Sequence, residues 1–124
     1  MGTGTLRILI VDDSETTRRI VGTILRSRHW IICGEAADGR TGVEKFQELR
    51  PDLVLLDLSM PDMTGIEVAQ QMSAVDPAVP LILFTILAIE GIGDAARDAG
   101  IRAIVPKSEA WSLIPNIERI ANEA

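Results

Sequence analysis

A chain of 124 residues has the length of one domain, and 47 % hydrophobic against 24 % charged residues is a globular balance that excludes disorder of the whole chain. The net charge of −6 argues against gripping nucleic acid through a basic patch and suits a cation or a basic partner surface. The single cysteine, Cys33, excludes an intrachain disulfide, and no apolar run approaches the roughly 20 residues that span a membrane. The opening MGTGT lacks the basic start and apolar centre of a signal peptide, so residues 1–5 read as a flexible N-terminus and the protein as soluble and cytoplasmic.

In chain order, LRILIV (6–11) is strand-like, β1. Ser14 to Arg28 is predicted helical, α1, with Ile20, Val21, Ile24 and Leu25 on one face and Arg18, Arg19, Arg26 and Arg28 mostly on the other. Ser14 is placed to cap it, and Glu15 suits the positive end of its dipole. WIICGEA (30–36) is β2. Asp38 opens α2, whose face is Val43, Phe46 and Leu49 and whose end is set by Pro51. DLVLLD (52–57) is β3, and SMPDMTG (59–65) is a loop. Ile66, Ala69 and Met72 mark α3, and DPAVP (76–80) is a turn.

LILFT (81–85) is β4. Glu90 to Ala99 reads as α4, with Ile92, Ala95, Ala96 and Ala99 inward and Gly100 just past its end. RAIVP (102–106) is β5. The last helix, α5, is expected from a Ser112 cap to Asn122, with Leu113, Ile117 and Ile120 inward and Pro115 in the first turn, where its missing N–H removes no helix bond. The result is a single α/β domain of the (βα)₅ kind. Strands that are apolar on both faces and separated by helices call for a parallel sheet covered on both sides. In such doubly wound folds the ligand site lies beyond the C-terminal strand ends.

Those ends carry the chemistry. β1 runs into Asp12 and Asp13, β3 ends in Asp57, β4 in Thr85, and Lys107 follows β5. A carboxylate at the end of a buried strand costs several kcal/mol unless it is paired, metal-bound or neutralised. Three carboxylates from separate segments at one edge repel, and a divalent cation relieves the repulsion. Mg²⁺ takes hard oxygen ligands, one or two of them carboxylates. Lys107 adds a positive charge, and Thr85 a hydroxyl that can donate or accept. A carboxylate so surrounded can attack phosphorus and form an aspartyl phosphate, a reaction that needs mainly positioning and charge neutralisation.

VDDSETTRRI, LVLLDLSMPDMTG, LILFT and IVPK occur in that order on alternating elements, and in this the sequence resembles the receiver domain of two-component response regulators over residues 6–122. The resemblance implies a CheY-like, flavodoxin-like sheet of order 2-1-3-4-5. It also implies that Asp57 accepts a phosphoryl group from a sensor histidine kinase or phosphotransfer protein. Asp12 and Asp13 would hold Mg²⁺ together with Asp57 and the backbone carbonyl of Ser59. Thr85 would be the switch hydroxyl, and Lys107 the partner of a phosphoryl oxygen. A homodimer or output partner would use the α4-β5-α5 face, with no nucleic acid bound by this domain directly. On this reading the chain catalyses its own phosphorylation and slow dephosphorylation, and its product is a conformational state.

The sequence departs from the family's pattern at Ile104, where an aromatic is frequent, at Ser108, where proline is usual, and at Ile86, where a small residue is common. Ile86, Leu87 and Ile104 motivate an alternative, a phosphorylation-independent pseudo-receiver acting as a protein-binding module. A phosphatase of the haloacid-dehalogenase type also uses a nucleophilic aspartate, but its motif wants a second acid where this chain has Ser59. His29 reads as a helix-end residue, Trp30 and Trp111 as packing residues, Met60 and Met63 as walls of the site loop, and Cys33 as a buried thiol.

Overall fold

The computed structural model describes residues 5–86 and 91–123. Along them run β1 Arg7–Val11, α1 Glu15–Arg26, β2 Ile31–Ala36, α2 Gly39–Leu49, β3 Leu53–Leu56, α3 Gly65–Val75, β4 Leu81–Thr85, α4 Ile92–Asp98, β5 Ile101–Pro106, a 3₁₀ turn Lys107–Ser112 and α5 Leu113–Glu123. The strands form one parallel sheet in the order β2-β1-β3-β4-β5, the flavodoxin-like order that the resemblance implies. No helix among the described residues is long and apolar enough to cross a membrane.

Side chains of a strand alternate between its faces, so an apolar run in a central strand feeds two cores at once. Leu9, Val11, Val54, Leu56, Leu81 and Leu83 face one way and pack with Phe46, Val68, Met72 and Ala96 from α2, α3 and α4. Ile8, Ile10, Leu53, Leu55, Ile82 and Phe84 face the other way and pack with Val21, Leu25, Leu113, Ile117 and Ile120 from α1 and α5. The order reverses between β1 and β3: β2 lies on one side of β1 and every later strand on the other. The crevice at their C-terminal ends is therefore the topological switch point.

Two helix caps come from side chains at the expected starts of α1 and α2. Ser14 Oγ accepts from the Thr17 N–H, and Asp38 accepts from the Thr41 N–H. Gly100 sits at φ +95, past the Ala99 cap of α4, where a left-handed conformation suits glycine. His29 also adopts a positive φ, closing the turn after α1 with its N–H on the Arg26 carbonyl at 2.9 Å.

Several expectations need correcting. Ile20 is 53 % exposed. The contact line of α1 runs through Val21, Gly22 and Leu25, and Ile20 lies about 100° around the helix from Val21, away from Gly22. Ala95 is likewise exposed, because Ala96 and Ala99 are the residues of α4 that face the sheet. Glu90, the expected start of α4, lies outside the described residues, as do residues 1–4 of the expected flexible N-terminus. Ser112 is not a side-chain cap for α5. The 3₁₀ turn supplies backbone acceptors instead, Leu113 N–H bonding the Ala110 carbonyl, while Ser112 Oγ donates to the Glu109 carbonyl. Pro115 does lie in the first turn of α5. Cys33 is only partly buried, though burial pushes its thiol above the ordinary value. Trp30 packs against the α1–α5 core, whereas Trp111 is 75 % exposed.

Candidate functional site

Strand register brings the site together. Val11 pairs with Leu56, and the next rung continues the ladder, with Asp57 N–H on the Val11 carbonyl at 2.9 Å and Asp12 N–H on the Ala36 carbonyl at 2.9 Å. Asp12 and Asp57 are thereby side by side at the ends of adjacent strands. Thr85 pairs with Pro106, so Lys107 lies one residue past that rung. Asp12, Asp57 and Thr85 are buried and Asp13 is exposed.

Lys107 Nζ lies 2.9 Å from Asp12 Oδ2 and 3.5 Å from Asp57 Oδ2. Asp12 Oδ1 accepts from Ser14 N–H at 2.8 Å, and Asp57 Oδ1 from Leu58 N–H at 2.8 Å. One carboxylate oxygen from each of Asp12, Asp13 and Asp57 can be chosen so that all lie within 4.8 Å of one another. Three carboxylates thus face one ammonium, and negative charge is in surplus. Burial pushes the Asp57 carboxyl above its ordinary value, and the neighbouring Asp12 charge pushes the same way. Lys107 and the Leu58 N–H pull it back, and Asp13 raises it again. The donors are hard oxygens at a spacing a Mg²⁺ ion can bridge, so the residues present fit that cation.

A cavity of about 470 Å³ opens on these groups, lined by Asp13, Thr17, Asp57, Ser59, Thr85 and Lys107, with Ile86, 77 % exposed, on its rim. The loop after Asp57 is tightly folded. Ser59 pairs with Thr64, Gly65 N–H bonds the Leu58 carbonyl at 2.6 Å, and Thr64 and Glu67 form a reciprocal cap on α3. A Cβ on Gly65 would collide with the Asp57 carbonyl oxygen, so only glycine fits there. Met60 is buried in the core and Met63 packs against it, as walls of this loop.

Two residues near the site were not legible as such. Asp62 accepts from Gly39 N–H at 2.8 Å and Arg40 N–H at 3.0 Å, tying the loop to the first turn of α2, and those bonds hold its carboxyl below the usual range. Arg18, read as part of a solvated face, donates from Nη1 to the Asp12 carbonyl at 2.7 Å and from Nε to Glu35 Oε1 at 3.0 Å. Its place one turn past the Ser14 cap is the available signal, since that position faces back toward the loop the helix grows from.

A parallel sheet of this order, with acids at the switch point and a lysine after the last strand, defines a doubly wound α/β fold with a charged site at its switch point, and comparison with known proteins narrows it. The family model described as the response regulator receiver domain matches residues 8–117. The chain belongs to that family. Chemotaxis protein CheY of Thermotoga maritima is 34 % identical over 112 residues, covering 86 % of this chain and 93 % of that protein. Protein-glutamate methylesterase/protein-glutamine glutaminase 1 of Methanosarcina mazei is 37 % identical over 121 residues, covering 95 % of this chain and 34 % of that protein, so the chain spans about a third of that relative. The solved CheX-CheY-BeF3-Mg+2 complex from Borrelia burgdorferi aligns with a TM-score of 0.90 at 27 % identity, over 95 % of this chain and 91 % of that one.

Proposed function

We propose that residues 6–122 form a phosphorylation-controlled receiver module in which Asp57 accepts a phosphoryl group in a Mg²⁺-dependent reaction. The observation that carries this reading is a buried Asp57 with Lys107 Nζ 3.5 Å from one oxygen and two further acids within 4.8 Å. One Asp57 oxygen is fixed by the Leu58 N–H, which sets the plane of the carboxylate. A carboxylate oxygen attacks phosphorus, the O–P bond forms, and the P–N bond to a phosphohistidine donor breaks, its electron pair leaving with the imidazole, which takes up a proton. Lys107 turns from Asp57 to the transferred oxygens, since its ammonium is a mobile point charge. Thr85, at the end of the neighbouring strand, supplies a hydroxyl to the same oxygens.

Asp12, Asp13, Asp57 and the Ser59 carbonyl would hold Mg²⁺, which when bound neutralises charge on the phosphoryl oxygens. The Borrelia relative was solved in a complex with BeF3 and Mg+2, which supports Mg²⁺ as the cation for this chain. The family pairs with histidine kinases and phosphotransfer proteins, and we infer the same class of donor here, working in the cytoplasm. A homodimer or output partner would meet the α4-β5-α5 face, where Ile104 is 39 % and Trp111 75 % exposed. Direct nucleic-acid binding by this domain is not expected at a net charge of −6.

The test is incubation with acetyl phosphate and Mg²⁺, followed by intact mass. One added phosphoryl group in the wild type, lost without Mg²⁺ and in Asp57→Asn, is the expected result. An unmodified wild type that gives a fixed conformation with or without donor would point instead to a phosphorylation-independent binding module.

A further inference from the structure

We propose that Arg18 is a positioning residue of this site, its guanidinium locking the Asp12 peptide so that the acid pair meets a cation in one geometry. The inference rests on the Mg²⁺-dependent reading above. Every polar group of Asp12 has a partner, and each comes from a different part of the fold. Its N–H bonds the Ala36 carbonyl, its Oδ1 accepts from Ser14 N–H, and its Oδ2 pairs with Lys107. The fourth, the carbonyl oxygen, lies where the ladder has ended, and Arg18 Nη1 reaches it at 2.7 Å. That carbonyl belongs to the peptide joining Asp12 to Asp13, so its orientation sets the angle between the two acids.

Arg18 is itself held. Its side chain is 17 % exposed, its Nε sits 3.0 Å from Glu35 Oε1, and Glu35 is anchored in β2 with its carbonyl accepting from Lys45 Nζ at 2.5 Å. A guanidinium presents its donors in a rigid planar fork, so one side chain can hold a carboxylate and a carbonyl at once. A lysine ammonium reaches one or the other with less constraint on direction.

Two physical effects of removing Arg18 have opposite signs. Loss of a cation near three carboxylates deepens the negative potential and favours Mg²⁺. Loss of the peptide lock lets the acid pair turn and disfavours it. Groups that orient metal ligands without touching the metal typically change affinity by about 10–100-fold when removed. Arg18 forms its ion pair with Glu35 and with none of the three carboxylates, so its direct effect on the potential is the smaller of the two and the positioning effect dominates.

The test is calorimetric titration of the whole chain with Mg²⁺ alone, for wild type, Arg18→Met, Arg18→Lys and Glu35→Gln, with melting curves and the Asp12 carbonyl ¹³C shift recorded beside it. The expected result is binding about tenfold weaker in Arg18→Met, intermediate in Arg18→Lys, and about threefold weaker in Glu35→Gln, with a changed Asp12 carbonyl shift. Equal or tighter binding in a folded Arg18→Met would overturn the proposal. If Arg18→Met does not fold, Glu35→Gln decides, and unchanged affinity there overturns it. A wild type that binds no Mg²⁺ overturns the phosphoacceptor reading and this inference with it. A wild type that binds beside an equally tight Arg18→Met overturns the inference alone.

Discussion

At the edge where the strands begin, Arg7 N–H donates to Asp52 Oδ2 at 2.8 Å, and Arg7 Nη1 donates to the Leu49 and Arg50 carbonyls at 2.9 and 3.0 Å. At the edge where they end, Asp12 and Asp57 share Lys107, with Asp13 clustered beside them. At the first edge the cations Arg7 and Arg50 are matched by the anions Asp52 and Asp76, and the Arg7 guanidinium closes the end of α2. The second leaves acids in excess over their one ammonium. Cavity size points the wrong way: about 620 Å³ opens at the balanced edge, among Leu6, Phe46, Pro51, Leu53, Val79 and Pro80, against about 470 Å³ at the acidic one. On the function proposed above, unbalanced charge at the topological switch point locates chemistry better than volume does.

The comparison can be broken most severely at Gly65, whose missing side chain lets the loop after Asp57 pack against the Asp57 backbone. Gly65→Ala forces backbone apart and is expected to cost about 3 kcal/mol in urea unfolding. Charge removal separates the two edges more finely. Lys107→Met strips the acids of their ammonium and is expected to destabilise by about 2–3 kcal/mol. Added Mg²⁺ should restore much of that. Arg7→Met loses two carbonyl contacts at the other edge, for about 1 kcal/mol, and Mg²⁺ should restore none of it. Equal rescue of both variants would show that the edges do not differ as described.

The smallest of these effects has the opposite sign and a pH signature. The Asp57 carboxyl lies above its ordinary value of 3.8, so the folded state holds the ionised form at a cost. Above the folded value that cost is fully present. As pH falls through the folded value toward 3.8, the folded state takes up the proton before the unfolded chain does, and the cost disappears. Asp57→Asn is therefore expected to be more stable than the wild type by about 1 kcal/mol at pH 7 in metal-free buffer. The advantage should vanish on acidification, as read by melting curves across pH.

Much of this is legible in the sequence. Continuous apolar runs at 53–56 and 81–85 can be satisfied only by strands covered on both faces, and each ends at a residue of the site. Asp12, Asp57, Thr85 and Lys107 sit at strand ends, where residue number and spatial position are tied by register. What escaped depends on contacts between elements far apart in sequence. Asp62 reaching the first turn of α2, and Arg18 bridging Asp12 to Glu35, follow from helix placement that no local pattern encodes. Ile20 failed for a related reason: periodicity finds an apolar stripe but not its centre line, which here passes over Gly22.

The surplus of acid at one edge is the central claim, and melting temperature against Mg²⁺ concentration tests it most directly. Ligand binding to the folded state alone adds about 1.4 kcal/mol at ten times Kd. The wild type is predicted to melt at rising temperature as Mg²⁺ passes into the millimolar range, while Asp57→Asn starts higher and rises less. A wild-type curve flat across that range, or an identical rise in Asp57→Asn, would contradict the account.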